Sequence, residues 1–460
     1  MSIRIGRNAT ITLNRIGNFR ITSEYPSGNR WYVSSTYTGG TSNGQFATPW
    51  KTIQNVRTAL DNNTIKQGDT VYFKRDDTFT GTFNFYTKTG PYIFSAYGTG
   101  NKPKFICTGA TVSQLFDIQN SSYLVFDNFE ITDPTLSPTD RSELSKIQVA
   151  FRVQINSSNI TIQNCDISLV GIAAVFTEST LTNTFSECNV SNLRMIVNDV
   201  NPDNDYGANA INLQSSNNVI TNNVFSGCWA ESYDYIYDGG GIEFFEEGAA
   251  IENNFIAYNT FYDNNGTFEF GSDNDGIANY PIQNNIIAYN KFVNCSSILY
   301  INNNGQYKTS VSNLQLYNNV ILQTTASRTG GKRMFGMAVT ESAVNNIITF
   351  KNNIFYLSNT GSLVATSSLF SSNNLIHSNN VYTLFNGGKV GFTTGSTDFF
   401  STGSNPTYWV DISNADPISW NYNPTLGSIL INNGTNVNQT LDFAGNLVST
   451  PPEIGILEYI

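Results

Sequence analysis

The sequence predicts an all-β chain that coils into a solenoid of stacked parallel strands, and three observations support this fold class. Segments flanked by asparagine recur along the middle of the chain, with a mean spacing of about 31 residues. Each repeat contains short runs rich in Ile, Val, Phe and Tyr that alternate with polar residues, as half-buried strands do. No repeat contains a convincing amphipathic helix, which argues against the helical repeat families.

The asparagine-flanked segments set the register of the repeat. They lie at residues 159–164, 218–223, 254–259, 285–290, 313–318 and 374–379. We align the repeats at positions 128, 164, 188, 223, 259, 290, 318, 352 and 379. Asparagine tolerates left-handed backbone angles, and stacked asparagine amides hydrogen-bond from one turn to the next. A turn of this length has room for two or three strands and a variable loop, whereas a propeller blade needs about 40 residues and clear hairpin signals.

Four regions are predicted along the chain. Residues 1–30 form an N-terminal arm or attachment segment, and residues 31–110 form an N-terminal cap and the first turns. Residues 111–385 form the solenoid core, and residues 386–460 form a C-terminal cap or tail. Caps are expected because the two ends of a solenoid expose strand edges and apolar surface.

The N-terminal cap contains the one clear helix signal of the sequence. Thr48, Pro49 and Trp50 predict a helix start, with a capping residue followed by proline in the first turn. The residues that follow form one apolar stripe at helical spacing. This stripe comprises Ile53, Val56, Ala59 and Leu60.

Both ends of the chain resemble a known superfamily. The motifs WYVSS at 31–35, TPWKTI at 48–53, GDTVYFK at 68–74 and SAYGTGNKP at 95–103 are similar to the entry segment of right-handed parallel β-helix proteins, the pectate-lyase-like superfamily. The closing motifs are similar to the terminal segment of the same proteins. They are NGTN at 433–436, DFAGN at 442–446 and PEIGILEY at 452–459. The resemblance implies a right-handed parallel β-helix, but it does not specify the activity, since the superfamily includes polysaccharide lyases, glycoside hydrolases, phage tail spikes and adhesins.

Composition excludes several classes of function. The 460 residues include 24 basic and 35 acidic side chains, and the net charge of −11 argues against a nucleic-acid partner. No apolar run approaches the roughly 18 residues of a membrane span, so no membrane partner is expected. With His377 as the only histidine and no paired cysteine motif, a zinc site, a His-dependent triad or a disulfide framework is not expected. The cysteines are expected to be small buried side chains, at Cys107, Cys165, Cys188, Cys228 and Cys295.

The candidate chemistry lies on the strand that follows each asparagine-flanked segment. Alternation along these strands places Asn212, Glu243, Glu269 and Tyr300 on the outer face. Stacked strands lie about 4.8 Å apart, so Glu243 and Glu269 are predicted to be neighbours on adjacent turns. Two carboxylates at that spacing raise the pKa of one of them, which is the acid–base arrangement that glycoside cleavage requires.

Further candidate residues precede and follow this pair in the chain. Asp238 and Asp273 are additional candidate catalytic carboxylates. Asn212 and Tyr300 are candidates for hydrogen bonds to sugar hydroxyls, and the rings of Tyr235 and Tyr237 are candidates for stacking on sugars. Three glycines at 239–241 are expected to let the backbone approach a ligand closely.

The carboxylate pair has other interpretations. It could bind calcium, accept hydrogen bonds from a neighbouring loop, or pair with lysine or arginine elsewhere in the chain. Asp273 and Asp275 are weak candidates for calcium ligands, together with Glu246 or Glu247, because calcium prefers such clusters of oxygen atoms. Otherwise no metal or cofactor is predicted.

We expect the chain to bind a polysaccharide and to cleave it as a glycoside hydrolase. A polysaccharide lyase is the next interpretation, but a lyase usually needs a lysine or arginine beside an acidic sugar. The aligned outer column from residue 172 to 339 contains none. The cationic candidates are Arg194 nearby and Arg328, Lys332 and Arg333 in a later loop.

The alternative function is a binding protein without chemistry, such as a phage tail spike, a receptor-binding appendage or an adhesin. Residues 1–30 contain five arginines and one acidic residue, as an arm that docks into a larger assembly would. A homotrimer is also compatible with this interpretation. No signal peptide is visible, and we expect an extracellular or virion-associated location.

Overall fold

The computed structural model describes residues 2–5, 9–12, 28–272, 280–303, 309–324, 335–339, 347–357, 375–384, 390–402 and 407–459. The chain divides into two compact units. Unit 1 extends to Val219 and includes Cys228–Gly239, and unit 2 comprises Ile220–Gly227 and the residues from Gly240 onwards. In each unit the turns contribute strands to three parallel sheets, here named A, B and C in the order in which the chain visits them. This is the parallel β-helix architecture that the sequence predicts.

Unit 1 contains sixteen stacked parallel strands in the described residues. Sheet A consists of Arg30–Val33, Thr70–Lys74, Thr89–Tyr97, Ser122–Asp127, Thr161–Gln163 and Thr184–Ser186. Sheet B consists of Thr78–Thr80, Lys104–Ile106, Glu130–Thr132, Asp166–Ser168 and Asn189–Ser191. Sheet C consists of Phe83–Tyr86, Val112–Gln119, Ile147–Gln154, Ile172–Phe176 and Asn209–Leu213. The boundary with unit 2 falls within the strand Val219–Thr221.

Unit 2 repeats the same three sheets. Sheet A consists of Phe255–Ala257, Ile286–Ala288, Leu314–Tyr317, Ile348–Lys351 and Leu375–Ser378. Sheet B consists of Val224–Ser226, Thr260–Tyr262, Lys291–Val293, Val320–Gln323, Ile354–Leu357, Val381–Leu384 and Phe399–Thr402. Sheet C consists of Gly240–Glu246, Gly266–Ser272, Leu299–Asn303 and Phe335–Val339. A smaller parallel sheet contains Ile251–Glu252, Ile282–Gln283 and Val311–Ser312.

The residues of sheet C that alternate with the predicted outward positions form the core of each unit. In unit 2, Phe244 and Phe270 are fully buried and stack from turn to turn, with ring centroids 4.5 Å apart. Phe261 and Phe292 of sheet B stack in the same way at 5.1 Å. The other inward residues of sheet C are also buried, namely Ile211, Leu213, Ile242, Phe268, Leu299 and Ile301.

Buried asparagines connect successive turns of unit 2 where sheet A gives way to sheet B. In this ladder, each side-chain oxygen accepts the backbone N–H of the asparagine one turn earlier, at 2.9–3.0 Å. The ladder comprises Asn223, Asn259, Asn290, Asn319, Asn353 and Asn380. The predicted hydrogen bonding between stacked asparagines is confirmed.

The register deduced from the sequence is wrong by one residue at its first two and last three positions, relative to the four positions between them. Asn318, Asn352 and Asn379 have left-handed backbone angles, with φ of 53°, 59° and 57°. Each of them precedes a ladder asparagine directly. Two adjacent asparagines therefore have different structural roles. The first adopts the left-handed conformation of the turn, and the second joins the hydrogen-bonded ladder.

The α-helix in the described part of the chain is Ile53–Asp61. Its N-cap is Thr52, whose hydroxyl accepts the backbone N–H of Asn55 at 3.1 Å, while Asn55 Oδ1 accepts the N–H of Thr52 at 3.1 Å. The start predicted at Thr48 and Pro49 is thus wrong, because this capping box satisfies the first N–H groups further along the chain. The predicted stripe is buried, at Ile53, Val56, Ala59 and Leu60.

The two ends of the chain have additional structure. Ser2–Ile5 and Ala9–Thr12 form an antiparallel pair, and the remaining residues of the predicted arm up to 27 lie outside the described residues. Near the C-terminus, Trp409–Asp411 pairs antiparallel with Asn421–Pro424, and a short 3-10 helix spans Pro417–Ser419.

The C-terminal segment packs along the side of unit 2. Trp409 and Ile454 belong to one buried apolar cluster with Val320, Leu322 and Ile354 of sheet B. These sheet B residues alternate with the core positions, so they lie on the outer face of the sheet. The C-terminal segment therefore covers an apolar outer face of unit 2.

Candidate functional site

Glu243 and Glu269 lie at aligned positions on adjacent strands of sheet C in unit 2. The alignment continues to Tyr300 on the following strand. Glu243 is half-buried, Glu269 is exposed, and the side chain of Tyr300 is 37% exposed. The structure therefore brings these three predicted residues together in one outward row, about 4.8 Å per step. We call this row the carboxylate row.

An aromatic ring and an amide flank the carboxylate row. Phe245, two residues after Glu243, is aligned with Gly271 on the next strand. A Cβ atom at Gly271 would lie 3.3 Å from the Phe245 ring, so the glycine leaves room for that ring. The side-chain oxygen of Asn302 is buried and has no hydrogen-bond partner in the part of the chain that the structure describes. Rings and amides are the groups that proteins use to hold sugar rings and hydroxyls.

The glycines before Glu243 pack against protein rather than facing a ligand. A Cβ atom at Gly240 would lie 2.8 Å from the carbonyl oxygen of Gly266, and one at Gly241 would lie 2.8 Å from that of Thr267. The expectation that these glycines open the backbone to a ligand is therefore wrong. They are required by the close approach of neighbouring turns.

Unit 1 has two antiparallel hairpins, and the second of them carries the predicted Tyr235 and Tyr237. One pairs Met195–Val197 with Tyr206–Gly207, and the other pairs Ala230–Ser232 with Ile236–Asp238. The two hairpins and the loops that close them are called the hairpin surface below.

Aspartates hold the hairpin surface together. The buried Asp205 carboxylate accepts the hydroxyl of Ser232 at 2.7 Å and the backbone N–H of Asp234 at 3.1 Å. In return, Asp234 Oδ2 accepts the N–H groups of Asn204 at 2.9 Å and Asp205 at 3.1 Å. Burial raises the pKa of Asp205, but the hydrogen bonds from Ser232 and the backbone outweigh it and lower the pKa overall. Asp205 and Asp234 therefore act as structural carboxylates.

The tyrosines of the hairpin surface differ in exposure. Tyr235 is 45% exposed, and its hydroxyl donates a hydrogen bond to Asp203. Tyr237 is half-buried and meets the Trp229 ring edge-on, with centroids 5.6 Å apart. Tyr233 is 69% exposed, which makes it more accessible than either predicted tyrosine. Sequence reasoning missed it because nothing in the run from 233 to 237 distinguishes one tyrosine from the next.

Asp238 ends the second hairpin and has a perturbed pKa. Its pKa is raised from 3.8 to about 6, mainly by burial and also by the nearby charges of Asp205 and Asp234, while the hydrogen bond from the N–H of Gly239 at 2.7 Å opposes the rise. A carboxyl group that titrates near neutrality is suited to proton transfer. Asp238 belongs to unit 1, whereas the carboxylate row belongs to unit 2.

The outer column of sheet C in unit 1 contains an arginine. Asp117, Arg152 and Val175 are aligned on successive strands, and Val175 is aligned with the predicted residue Asn212. Sequence reasoning missed Arg152 because the strand alignment began at residue 172. The alternation in Ile147–Gln154 was the signal that could have found it.

Arg194 is not available to a substrate. It is fully buried, and its guanidinium donates to the carbonyl oxygens of Asn192 and Leu193 at 2.9 Å and of Ser137 at 2.5 Å. Burial also lowers its pKa. The other cationic candidates, Arg328, Lys332 and Arg333, lie outside the described residues.

The remaining predicted groups are structural or lie outside the described residues. His377 Nδ1 lies 2.7 Å from Asp398 Oδ2, and the imidazole stacks on Phe350 at 5.6 Å. All five cysteines are buried, as expected. Among the described residues no group of three or more His, Cys, Asp or Glu is arranged to hold a metal ion, and Asp273 and Asp275 are not among them.

Comparison with known proteins identifies the fold. No family model matches the chain, and no curated protein matches its sequence. Among solved structures, pectate lyase Pel9A is 14% identical with a TM-score of 0.56, covering 95% of this chain and 98% of that one. A rhamnogalacturonan lyase is 13% identical with a TM-score of 0.51, covering 77% and 87%. The tailspike protein of E. coli bacteriophage HK620 is 11% identical with a TM-score of 0.49, covering 75% and 65%.

The stacked parallel sheets and the likeness to the pectate lyase and the rhamnogalacturonan lyase give the chain the parallel β-helix fold, at a level of identity that concerns the fold alone. In the described part of the chain, no helix has the length and apolar character needed to span a membrane.

Proposed function

We propose that the chain binds a polysaccharide along the carboxylate row and hydrolyses it, with Glu243 and Glu269 as the two catalytic residues. The observation that carries the proposal is the alignment of these two outward carboxylates on adjacent strands. Side chains of equal length at a step of about 4.8 Å can hold their carboxyl groups about 5–5.5 Å apart, the separation used by retaining glycosidases.

The chemistry needs one protonated and one ionised carboxyl group. The protonated glutamic acid donates its proton to the glycosidic oxygen as the bond to the anomeric carbon breaks, while the other carboxylate attacks that carbon. Water, deprotonated by the first residue, then releases the sugar from the glycosyl ester. Tyr300 and Phe245, the neighbours of the pair, position the sugar rings, and Asn302 accepts a hydrogen bond from a hydroxyl.

The comparisons support the substrate class without identifying the substrate. Two similar structures with a TM-score above 0.5 are called a pectate lyase and a rhamnogalacturonan lyase, so polysaccharide chemistry occurs on this fold. A polysaccharide hydrolase acts where its substrate is found, so the proposed location is outside the cell or on a virion.

The test replaces each glutamate by glutamine and measures the release of reducing ends from a panel of glycans. Glu243→Gln and Glu269→Gln should each reduce turnover by about 10²–10⁴-fold, because each removes a proton-transfer or nucleophilic group. Products should show no absorbance at about 235 nm, which unsaturated sugars would give after elimination.

The matched control is Glu178→Gln, an exposed glutamate in a turn of unit 1 that should retain full activity. Unchanged turnover in both row variants would refute the proposal. Asp238→Asn and Asp273→Asn test the further carboxylates named from the sequence.

A second candidate function is binding without cleavage, as in a tail spike, a receptor-binding appendage or an adhesin. The exposed rings of Tyr233 and Tyr235 favour it, because aromatic rings bind sugars without any catalytic group. Binding to a glycan with no release of reducing ends would support this candidate. In this second candidate function, residues 1–30 attach the protein to a larger assembly, and the protein is a homotrimer.

A further inference from the structure

The outward face of sheet C in unit 1 carries polar side chains that the proposed function does not use. Two neighbouring outward rows cross this face, and we call them together the polar face. The first row contains Asn84, Asp117, Arg152 and Val175. The second row contains Tyr86, Gln119, Gln154 and Thr177.

A buried aspartate holds three side chains of the polar face in place. Asp117 is 2% exposed, and its Oδ2 accepts the hydroxyl of Tyr86 at 2.8 Å and Nε2 of Gln119 at 2.9 Å. Its Oδ1 accepts Nε2 of Gln154 at 2.7 Å. Both amide nitrogens are thus committed to Asp117, which leaves the amide oxygens of Gln119 and Gln154 as acceptors on the polar face.

Arg152 lies beside this aspartate on the next strand. The oxygens of Asp117 already accept the three donors from Tyr86, Gln119 and Gln154. The Nε atom of Arg152 is buried and has no hydrogen-bond partner in the part of the chain that the structure describes. A buried donor left unpaired destabilises a protein, so a ligand that accepts a hydrogen bond from Arg152 is favoured.

A second buried group on the polar face also lacks a protein partner. Thr177 is 5% exposed, and its hydroxyl oxygen has no hydrogen-bond partner within the described ranges. Its N–H donates to the carbonyl oxygen of Val153, which places Thr177 beside Gln154 in the second row. A ligand with hydroxyl groups can satisfy both Thr177 and Arg152, because a hydroxyl both donates and accepts hydrogen bonds.

An exposed ring and an apolar wall bound the polar face. The ring belongs to Tyr86, which is 45% exposed. The wall is formed where Val175 packs with Ile196 of the first hairpin in a buried apolar cluster. Hydrogen-bonding groups beside an aromatic ring match a sugar, which has hydroxyl groups at its rim and apolar C–H groups on its faces.

The charges on and beside the polar face balance one another. Asp117 and Arg152 are aligned neighbours of opposite sign. Glu178 is exposed at the end of the second row. Burial, the hydrogen bond to Asp117 and the Asp117 charge raise the pKa of Tyr86, while the charge of Arg57 opposes the rise, so a second cation lies nearby. Balanced charge favours a ligand without a charge of its own.

We propose that the polar face of unit 1 is a second sugar-binding site, which binds an uncharged polysaccharide and has no chemistry of its own. Arg152 donates hydrogen bonds to hydroxyl groups of the sugar, and the oxygens of Gln119 and Gln154 accept hydrogen bonds from them. The ring of Tyr86 stacks on a sugar ring. The site lies within unit 1, and it does not depend on the catalytic roles proposed for the carboxylate row.

The test measures binding of four neutral glycans by affinity electrophoresis, with the Glu243→Gln protein as the background so that cleavage is suppressed. The glycans are hydroxyethyl cellulose, xyloglucan, galactomannan and arabinan. Arg152→Met keeps the apolar stem and removes the donors, and it should weaken binding of at least one glycan about tenfold or more. The matched control is Arg30→Met, an exposed arginine on the first strand of sheet A, which should leave binding unchanged.

Two substitutions at Tyr86 separate its ring from its hydroxyl. Tyr86→Leu should weaken binding of the same glycan, whereas Tyr86→Phe keeps the ring and should retain most of the affinity. Thermal unfolding then distinguishes a binding role of Arg152 from a structural role, because Arg152→Met should leave the Tm within about 2 °C of the unaltered protein.

Unchanged affinity of Arg152→Met for every glycan that binds would overturn the inference, and so would a large loss of Tm in this variant. Binding of none of the four glycans would overturn it as well. In each case, cleavage of any glycan that depends on Glu243 and Glu269 would leave the proposed function standing.

Discussion

Asn319 shows how a single side chain joins three turns of unit 2. Its Oδ1 accepts the backbone N–H of Asn290 at 2.9 Å, and its Nδ2 donates to the carbonyl oxygen of Ile287 at 3.0 Å and to Asn353 Oδ1 at 2.9 Å. Asn319 is fully buried, so water cannot replace these bonds. Unpaired buried groups cost about 1–3 kcal/mol each.

We therefore predict that Asn319→Ala lowers the free energy of unfolding of the protein by about 2–4 kcal/mol, since several buried groups lose their partners at once. Urea unfolding followed by circular dichroism measures the change. The control is Asn423→Ala, whose exposed amide donates to Asn421 Oδ1 at 2.7 Å, and which should cost less than about 0.5 kcal/mol. Equal losses in the two variants would contradict the assigned role of the ladder.

The sequence could predict that such asparagines exist, but not which member of a pair joins the ladder. In the pair Asn318 and Asn319, the first has φ of 53° and the second is the ladder residue. Asparagine suits both positions, so composition cannot separate them. At Tyr258, which precedes Asn259, the left-handed residue is a tyrosine with φ of 61°, which no propensity rule predicts.

At the scale of elements, the C-terminal segment is fixed by a pair of buried acids. Glu453 and Glu458 are both buried and hydrogen-bonded to each other. Ser449 donates its hydroxyl to Glu453 Oε2 and its N–H to Glu458 Oε2, each at 2.9 Å. Burial and the neighbouring Glu458 raise the pKa of Glu453 from 4.5 to about 7. The pair is therefore stable while it shares a proton.

The sign of the pH dependence follows from this shift. Because the folded protein binds the proton more tightly than the unfolded chain, the stabilising contribution is complete below about pH 4.5 and is lost as the pH rises to about 7. We predict a loss of up to about 3 kcal/mol across this range, from 1.36 kcal/mol per pKa unit.

Thermal unfolding measured from pH 4.5 to 8 checks the prediction. Glu453→Gln, which mimics the protonated acid, should match the unaltered protein at low pH and exceed it at pH 8. A variant with the same steep pH dependence as the unaltered protein would assign the effect to another group.

At this scale the sequence predicts the strands of sheet C but not the hairpin that precedes them. Period-two alternation sufficed to place Glu243 and Glu269 on one outward row, because parallel strands in register preserve the pattern from turn to turn. The run from 233 to 241 has no sequence pattern that divides it, yet Asp238 ends a hairpin of unit 1 while Gly240 begins a strand of unit 2. The tyrosines and acidic residues of this run form no period that marks a hairpin.

At the scale of the whole molecule, the repeat determines the solenoid fold. The acidic residues, in contrast, are unevenly distributed along the chain. Stacked turns contact their nearest neighbours, so a repeat of about 31 residues is enough to predict a solenoid without any long-range information. The fold does not require the fourteen acidic residues that lie between residues 195 and 290, because many neutral side chains would fit the outer face of a sheet equally well. Their concentration in this segment also places like charges close together in the folded state, which costs stability.

This cost predicts that salt stabilises the protein. The Debye length falls from about 30 Å at 0.01 M to about 8 Å at 0.15 M ionic strength, so repulsion between the acidic residues weakens over this range. We expect the Tm to rise by about 2 °C or more between these two NaCl concentrations. Glu231→Gln with Glu247→Gln should reduce the rise, because both charges belong to the crowded segment. Glu178→Gln with Glu187→Gln changes the net charge by the same amount outside the segment and should leave the rise intact. An equal reduction in both double variants would mean that net charge alone, and not its concentration between residues 195 and 290, sets the response to salt.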